Sequence, residues 1–353
     1  MTEITSKPFF QTETDEAVLF TLKNTKGMEV DISSFGAVIV AIRVPDRQGE
    51  VADVVLGYDD YEGSRSRKYF LGAAIGRYAN RMKDASFTLN GKTYQLEKNE
   101  GNNHLHGGFA GFDVKLWQAA VVESRYGQDL RLSYTSPDGE GAYPGTLNVK
   151  ITYSLSEQNE LIIHYDAVSD QDTLCNLTNH SYFNLAGHGS GDILSQELKI
   201  YASHFTEIDK ESIPTGRVLP VENTPMDFRE FRPVGQRIGE DFEQLKLAGG
   251  YDHNFVLDHA PGEMGLCAEL RDPKSGRRMV CLTDCPGVQF YSGNYLDGTQ
   301  QGKNGVYYGP RAALCLETQF APDAVHHPEW DSPILKAGLR YDHTTIYRFE
   351  IDE

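Results

Sequence analysis

The chain has 353 residues, 39% of them hydrophobic and 24% charged, the balance of an ordinary globular fold with a large core. Its net charge of −18 and pI near 5.0 argue against nucleic acid and disfavour phosphorylated or anionic ligands, so a neutral ligand fits best. No run approaches the ~18 apolar residues of a membrane span, and the first ten residues lack the basic-then-apolar pattern of a secretory signal.

Taken in chain order, the elements are mostly strands. Val30 to Val44 reads as strand. Phe87–Leu89 and Lys92–Leu96 flank Asn90-Gly91, a two-residue hairpin signature, because Asn-Gly tolerates the positive φ of a type I′ turn. Asn148–Ser156 and Glu160–Val168 form a second hairpin around 157–159. Val234–Leu247 is the best helical candidate, with Ile238, Phe242 and Leu245 at near-helical spacing. Leu266–Asp272 and Arg277–Thr283 flank Pro273-Lys274-Ser275-Gly276 as a third hairpin. Ala313–Phe320 and Thr344–Ile351 are further strands.

No linker, low-complexity block or repeat divides the chain. The pattern predicts one all-β domain over residues 1–353, a large antiparallel sandwich rather than a propeller, since no blade motif recurs. Cys175, Cys267, Cys281, Cys285 and Cys315 are odd in number and scattered, which predicts reduced thiols and a cytoplasmic protein rather than a disulfide framework.

Several segments could carry chemistry. In Ile75–Arg81, Arg77, Asn80 and Arg81 offer planar donors and acceptors suited to a neutral polyol, or serve in ion pairs. In Asn102–Gly108, alternation puts His104 and His106 on one strand face. That spacing suits a metal if further ligands converge; otherwise one histidine is structural and one superficial. Gly107 and Gly108 point to close backbone approach of a ligand. In Thr178–Leu185, alternation gives Thr178, His180, Tyr182 and Asn184 one face, facing solvent or a polar cleft. Asp252, near the start of Tyr251–Leu257, is a turn residue or a carboxylate that binds hydroxyls. Gln289 lies in Pro286–Tyr291.

Glu317 is the most pointed signal. It shares a strand face with Ala313, Cys315 and Gln319, while Leu314, Leu316 and Phe320 take the other. A buried carboxylate needs a partner or a task. The plain reading is an ion pair with Arg311 or Arg340; the sharper one is catalysis. No phosphate loop, GxGxxG, GxSxG or HExxH is present.

These same segments resemble the galactose mutarotase (aldose 1-epimerase) family. The matching stretches are Ile75–Arg81, Asn103–Gly108 with Gly111-Phe112-Asp113 and Trp117, Thr178–Leu185, Gly250–Leu257, Gly287–Gly293 and Leu314–Asp323, with His343–Phe349 at the end. They run in the family's order across nearly the whole chain. The segment 324–327 departs from the family pattern and bears on loop shape only.

The resemblance implies a β-supersandwich with an open sugar cleft. It implies an enzyme that interconverts α and β anomers of free hexoses such as galactose and glucose by ring opening and reclosure. Glu317 then matches the general base, His180 the general acid, and His106 a second active-site histidine. Asn80, Arg81, Tyr182, Asp252 and Gln289 match substrate-binding positions. At reference values Glu317 would be ionised at neutral pH and His180 could hold and return a proton. No metal and no organic cofactor is implied. The partner is a monosaccharide, with no nucleic acid and no membrane, and the chain is a monomer or homodimer. Three alternatives stay open: a hexose-6-phosphate epimerase, a non-catalytic sugar-binding module, and a metal enzyme using His104, His106, His180 and Glu317.

Overall fold

Alternating burial along the strands builds three larger antiparallel sheets in the computed structural model, which describes residues 1–11 and 16–352. A five-stranded sheet orders Glu3–Gln11, Glu16–Lys23, Glu29–Ser33, Ile39–Pro45 and Val51–Asp53 in sequence. A nine-stranded sheet centres on Leu147–Leu155, Glu160–Ser169, Arg340–Ile351 and Arg277–Thr283. A six-stranded sheet runs Tyr182–Phe183, Leu314–Gln319, Gly287–Tyr291, Asp252–Val256, His204–Ile208 and Pro214–Pro220. All three contribute to one core, which includes Leu22, Ile39, Ile151, Ile163, Phe255, Phe290, Leu316 and Tyr347. This is the expected antiparallel all-β architecture, with sheets packed through apolar faces.

The three hairpins read from turn chemistry are present. Asn90 and Gly91 both hold positive φ (51° and 78°) between Ser86–Leu89 and Lys92–Gln95, as a type I′ turn requires. Leu147–Leu155 pairs with Glu160–Ser169, and Gly265–Arg271 with Arg277–Thr283.

Two expectations differ from the structure. The stretch Val30 to Val44 is two strands, not one. The chain turns back through Gly36 and Ala37, at φ 67° and 48°, and a Cβ at Gly36 would sit 2.4 Å from the Asp113 carbonyl oxygen. The helix over Val234–Leu247 is confined to Glu243–Ala248. Upstream, Gly235 N–H donates to Leu194 O and Glu240 N–H to Arg237 O, so turns replace the i→i+4 ladder. Val234 and Leu245 are buried, and Ile238 and Phe242 pack on the core, so the apolar spacing is real. Gly235 and Gly239 weaken a helix there.

Arg77 is a structural residue. It is 2% exposed, and its guanidinium donates to Ser136 Oγ and to the carbonyls of Ser136, Pro137, Pro144 and Gly145 at 2.8–3.0 Å. It thus ties the loop beside the site to the Gly127–Ser136 strand end. Removing it orphans several buried acceptors, each costing roughly 1–3 kcal/mol. Arg77→Met is expected to lower unfolding free energy by about 3 kcal/mol or more in urea titration; a change below about 1 kcal/mol would contradict this assignment.

Candidate active site

The six-stranded sheet has one apolar face and one polar face, and the polar face floors a cavity. Leu314 and Leu316 turn into the core with Val288, Phe290 and Phe255. The residues between them point the other way. Tyr182, Cys315, Tyr291 and Asp252 form one cross-strand row, and Glu317, Gln289 and Asn254 the next. The loops around residues 69–70, 80–81 and 103–106 wall the cavity, which measures about 520 Å³.

Asn80, Arg81, His106, His180, Tyr182, Asp252 and Glu317 all line this cavity. Gln289 lies behind them. Its Nε2 donates to Asp252 Oδ1 at 2.8 Å, and it stands opposite Glu317 in the strand register. The family-matched positions, scattered from 80 to 317, thus meet at one place.

Glu317 is 2% exposed. Neither expected arginine pairs with it. Arg311 donates to the Asn294 side chain and the Gly249 carbonyl, and Arg340 binds Asp166. Glu317 instead faces His180, with Oε2 3.6 Å from Nε2. That separation exceeds a hydrogen bond, and Oε2 has no hydrogen-bonding partner among the described residues. Two titratable groups are therefore turned toward each other and toward the cavity.

Burial sets their charge state. It pushes the Glu317 carboxyl well above the usual carboxylate range, helped by the nearby Asp252 charge and opposed by Arg81. Burial also lowers His180 to about 4, with Arg81 adding to the shift. Reference values ionise Glu317 and let His180 hold a proton; this environment favours the reverse. Burial thus places the exchangeable proton of the pair on Glu317 rather than on His180.

His106 is positioned by backbone. Its Nδ1 accepts the Asn80 N–H at 3.2 Å, and its own N–H donates to the Asn80 carbonyl. With Nδ1 occupied as acceptor, the neutral ring carries its proton on Nε2. Burial, then repulsion from His180 and Arg81, holds His106 well below its ordinary value. It therefore stays neutral and can donate one hydrogen bond.

Arg81 supplies the positive charge. Its guanidinium makes two 2.9 Å contacts to Glu100 and lies 3.5 Å from Asp252. Tyr182 stacks on His180 at 5.0 Å between centroids. His180 Nδ1 lies 3.6 Å from Cys315 Sγ, which leaves Nε2 facing Glu317.

Several sequence readings are corrected here. His104 and His106 do not share a face, because the strand containing them is only His104–Leu105 and His106 has φ 51°. His104 is structural, bonded to the Glu97 carbonyl and the Tyr143 hydroxyl. Thr178–Leu185 is not one strand either: Thr178–Asn179 and Tyr182–Phe183 pair with different sheets. Asn184 leaves the site and binds the Ala312 and Gly191 carbonyls. Gly107 is required by protein rather than ligand, since its Cβ would lie 1.9 Å from the Gly76 carbonyl oxygen. At Gly108 a Cβ would meet Glu97 and His104.

Sequence reasoning missed Phe70, Glu100 and Tyr295, which also line the cavity. Phe70 lies 4.9 Å from His106 and 6.1 Å from His180 between ring centroids. All three belong to irregular segments with no periodicity to flag them. Glu100 alone left a clue, as an acid just before the Asn102–Gly108 segment.

Ligand atoms of His106, His180 and Glu317 lie within 4.8 Å of one another and could together reach a cation. Arg81 opposes that use, because its fixed positive charge already acts on Glu317 and both histidines. A second such group, Asp284, Cys285 and His343, is already engaged as an ion pair of His343 with Asp284 at 3.2 Å.

Known proteins place this arrangement in a family. The aldose 1-epimerase family model matches residues 18–348. The chain is 45% identical over 324 residues to the galactose mutarotase of Homo sapiens, covering 92% of each. It is 35% identical over 333 residues to the aldose 1-epimerase of Escherichia coli (strain K12), covering 94% of each. Its structure is similar to that of galactose 1-epimerase from Lactobacillus acidophilus NCFM, with a TM-score of 0.88, 26% identity and full coverage of both chains. With agreement over nearly its whole length in both sequence and structure, the chain belongs to the aldose 1-epimerase family.

Proposed function

We propose that this protein is an aldose 1-epimerase that interconverts the α and β anomers of free hexoses such as galactose and glucose, with Glu317 and His180 as its proton-transfer pair. The observation that carries this reading is the 3.6 Å approach of Glu317 Oε2 to His180 Nε2, both facing one cavity.

The chemistry needs one proton taken and one given. Glu317 removes the proton from the C1 hydroxyl while His180 protonates the ring oxygen. The C1–ring oxygen bond breaks and an open-chain aldehyde forms. Rotation about C1–C2 presents the other carbonyl face. His180 then removes the proton from the attacking hydroxyl, Glu317 returns one to the carbonyl oxygen, and both groups end as they began. Such a cycle needs one proton on the pair, which is what burial provides. Substrate binding must move that proton from Glu317 to His180; the Arg81 charge favours the carboxylate this leaves and opposes the charge it puts on His180. His106 Nε2–H donates to a sugar oxygen. Asn80, Arg81, Tyr182 and Asp252 hold the hydroxyls, with Gln289 fixing Asp252 from behind.

The substrate is a small neutral sugar, in keeping with the acidic chain. We read the whole chain as one domain, supported by a core that draws residues from Phe20 to Phe349. No helix among the described residues is long and apolar enough to cross a membrane. Five free, buried cysteines support a cytoplasmic location.

Polarimetry on freshly dissolved α-D-galactose and α-D-glucose tests the reading. Wild type is expected to speed equilibration, and Glu317→Gln and His180→Gln each to lose about 10²–10⁴-fold in kcat/KM. A folded, sugar-binding wild type that leaves the buffer rate unchanged would overturn it in favour of a binding module.

The pH dependence follows from burial. His180 in the folded protein takes up a second proton only as pH falls through about 4. Below that point the pair is doubly protonated and has no base. The acid limb of kcat/KM is therefore expected near pH 4. A limb near the free-histidine value of about 6.5 would show that the site is solvated.

A further inference from the structure

We propose that Asp323 is a positioning residue for Arg81, tying the backbone from which the substrate-binding guanidinium extends to the chain that leaves the Glu317 strand. The proposal rests on the mutarotase reading and adds a residue outside the cavity lining.

Arg81 sits in a strand of only two residues, Arg81–Met82. One edge pairs with His104–Leu105. At the other, the Asp323 backbone N–H donates to the Arg81 carbonyl at 2.9 Å. The Asp323 carboxylate then accepts the Lys83 N–H, also at 2.9 Å. Asp323 thus brackets Arg81 and Met82 with one bond on each side. Glu100 and Asp252 hold the guanidinium itself, and this bracket fixes the short backbone segment from which it extends.

Asp323 is itself over-determined. It is 1% exposed and holds φ 56°, a left-handed conformation that Asp and Asn tolerate better than most residues. His326 Nδ1 lies 2.6 Å from Oδ1, and His327 Nε2 3.8 Å from Oδ2. Both histidines belong to the 324–327 segment that departs from the family pattern. That segment thus acts on the site at one remove, by fixing the carboxylate.

The connection is short. Glu317 lies in Leu314–Gln319, and Phe320-Ala321-Pro322 leads directly to Asp323. Phe320 N–H is fixed by Asn176 Oδ1 at 3.0 Å. The strand bearing the base and the strand bearing the binding cation are therefore joined at one residue, through its backbone N–H and its carboxylate. Arg81 in turn holds Asp252 and opposes the rise in Glu317 basicity. A shift of Arg81 by about 1 Å is enough to cost up to about 10²-fold.

A double-mutant cycle with Arg81→Gln tests this, read as kcat/KM for galactose beside a thermal melt of each variant. Asp323→Gly removes the carboxylate while keeping the left-handed backbone accessible, and is expected to lower kcat/KM about tenfold or more. Asp323→Asn keeps an acceptor for Lys83 and is expected to stay within about threefold of wild type. In the Arg81→Gln background, Asp323→Gly is expected to add less than about twofold, because its route to the reaction is already gone. Losses that multiply across the cycle, or an Asn variant as impaired as the Gly one, would overturn the positioning role. Either result would leave the mutarotase reading intact, since each is measured against wild-type activity.

Discussion

The burial of Glu317 beside His180 is the constraint on which the rest of this structure depends. A charged pair 3.6 Å apart attracts by about 4–5 kcal/mol at an effective dielectric near 20. Removing each ion from water costs several kcal/mol. Two such penalties together exceed the attraction, so burial favours the neutral pair, against which the Arg81 charge supports the carboxylate. The proposed reaction uses the two groups in swapped roles in its forward and reverse halves, so this balance between burial and the Arg81 charge decides where the proton rests.

The surrounding fold keeps that balance. The apolar face of the six-stranded sheet fixes Leu314 and Leu316, so side-chain alternation fixes Glu317 on the cavity face. Asn80 backbone holds His106 neutral, and Phe70 and Tyr182 keep the histidine rings out of water. Arg81 counters the burial of Glu317 without pairing with it, because Glu100 holds the guanidinium in two hydrogen bonds. A cation bonded directly to Glu317 would strip its basicity; one held nearby only tempers it.

Much of this was legible in the sequence, and the gaps have physical causes. Asn90-Gly91 specified its turn because few residues accept two successive positive φ values. The strand around Glu317 was legible because period-2 alternation places one carboxylate among small residues. Val234–Leu247 misled because apolar spacing records which residues face the core, and a turn-rich chain with Gly235 and Gly239 meets that need as well as a helix does. His104 and His106 were assigned one face because alternation assumes a continuous strand, which the left-handed His106 breaks. Arg77 and Arg81 look alike in sequence; only their surroundings separate a guanidinium capped by carbonyls from one that lines a cavity. The gathering of residues from 80 to 317 at one place came from the family resemblance, since no local pattern encodes contacts so distant along the chain.

The most direct test of this account is infrared difference spectroscopy of the sugar-free enzyme at pH 7, comparing wild type with Glu317→Gln. A protonated carboxyl band that disappears in the variant is the predicted result, because burial keeps the shared proton on Glu317. If no such band is present and Glu317 is ionised beside a charged His180, the cleft is better solvated than this account allows, and its central claim fails.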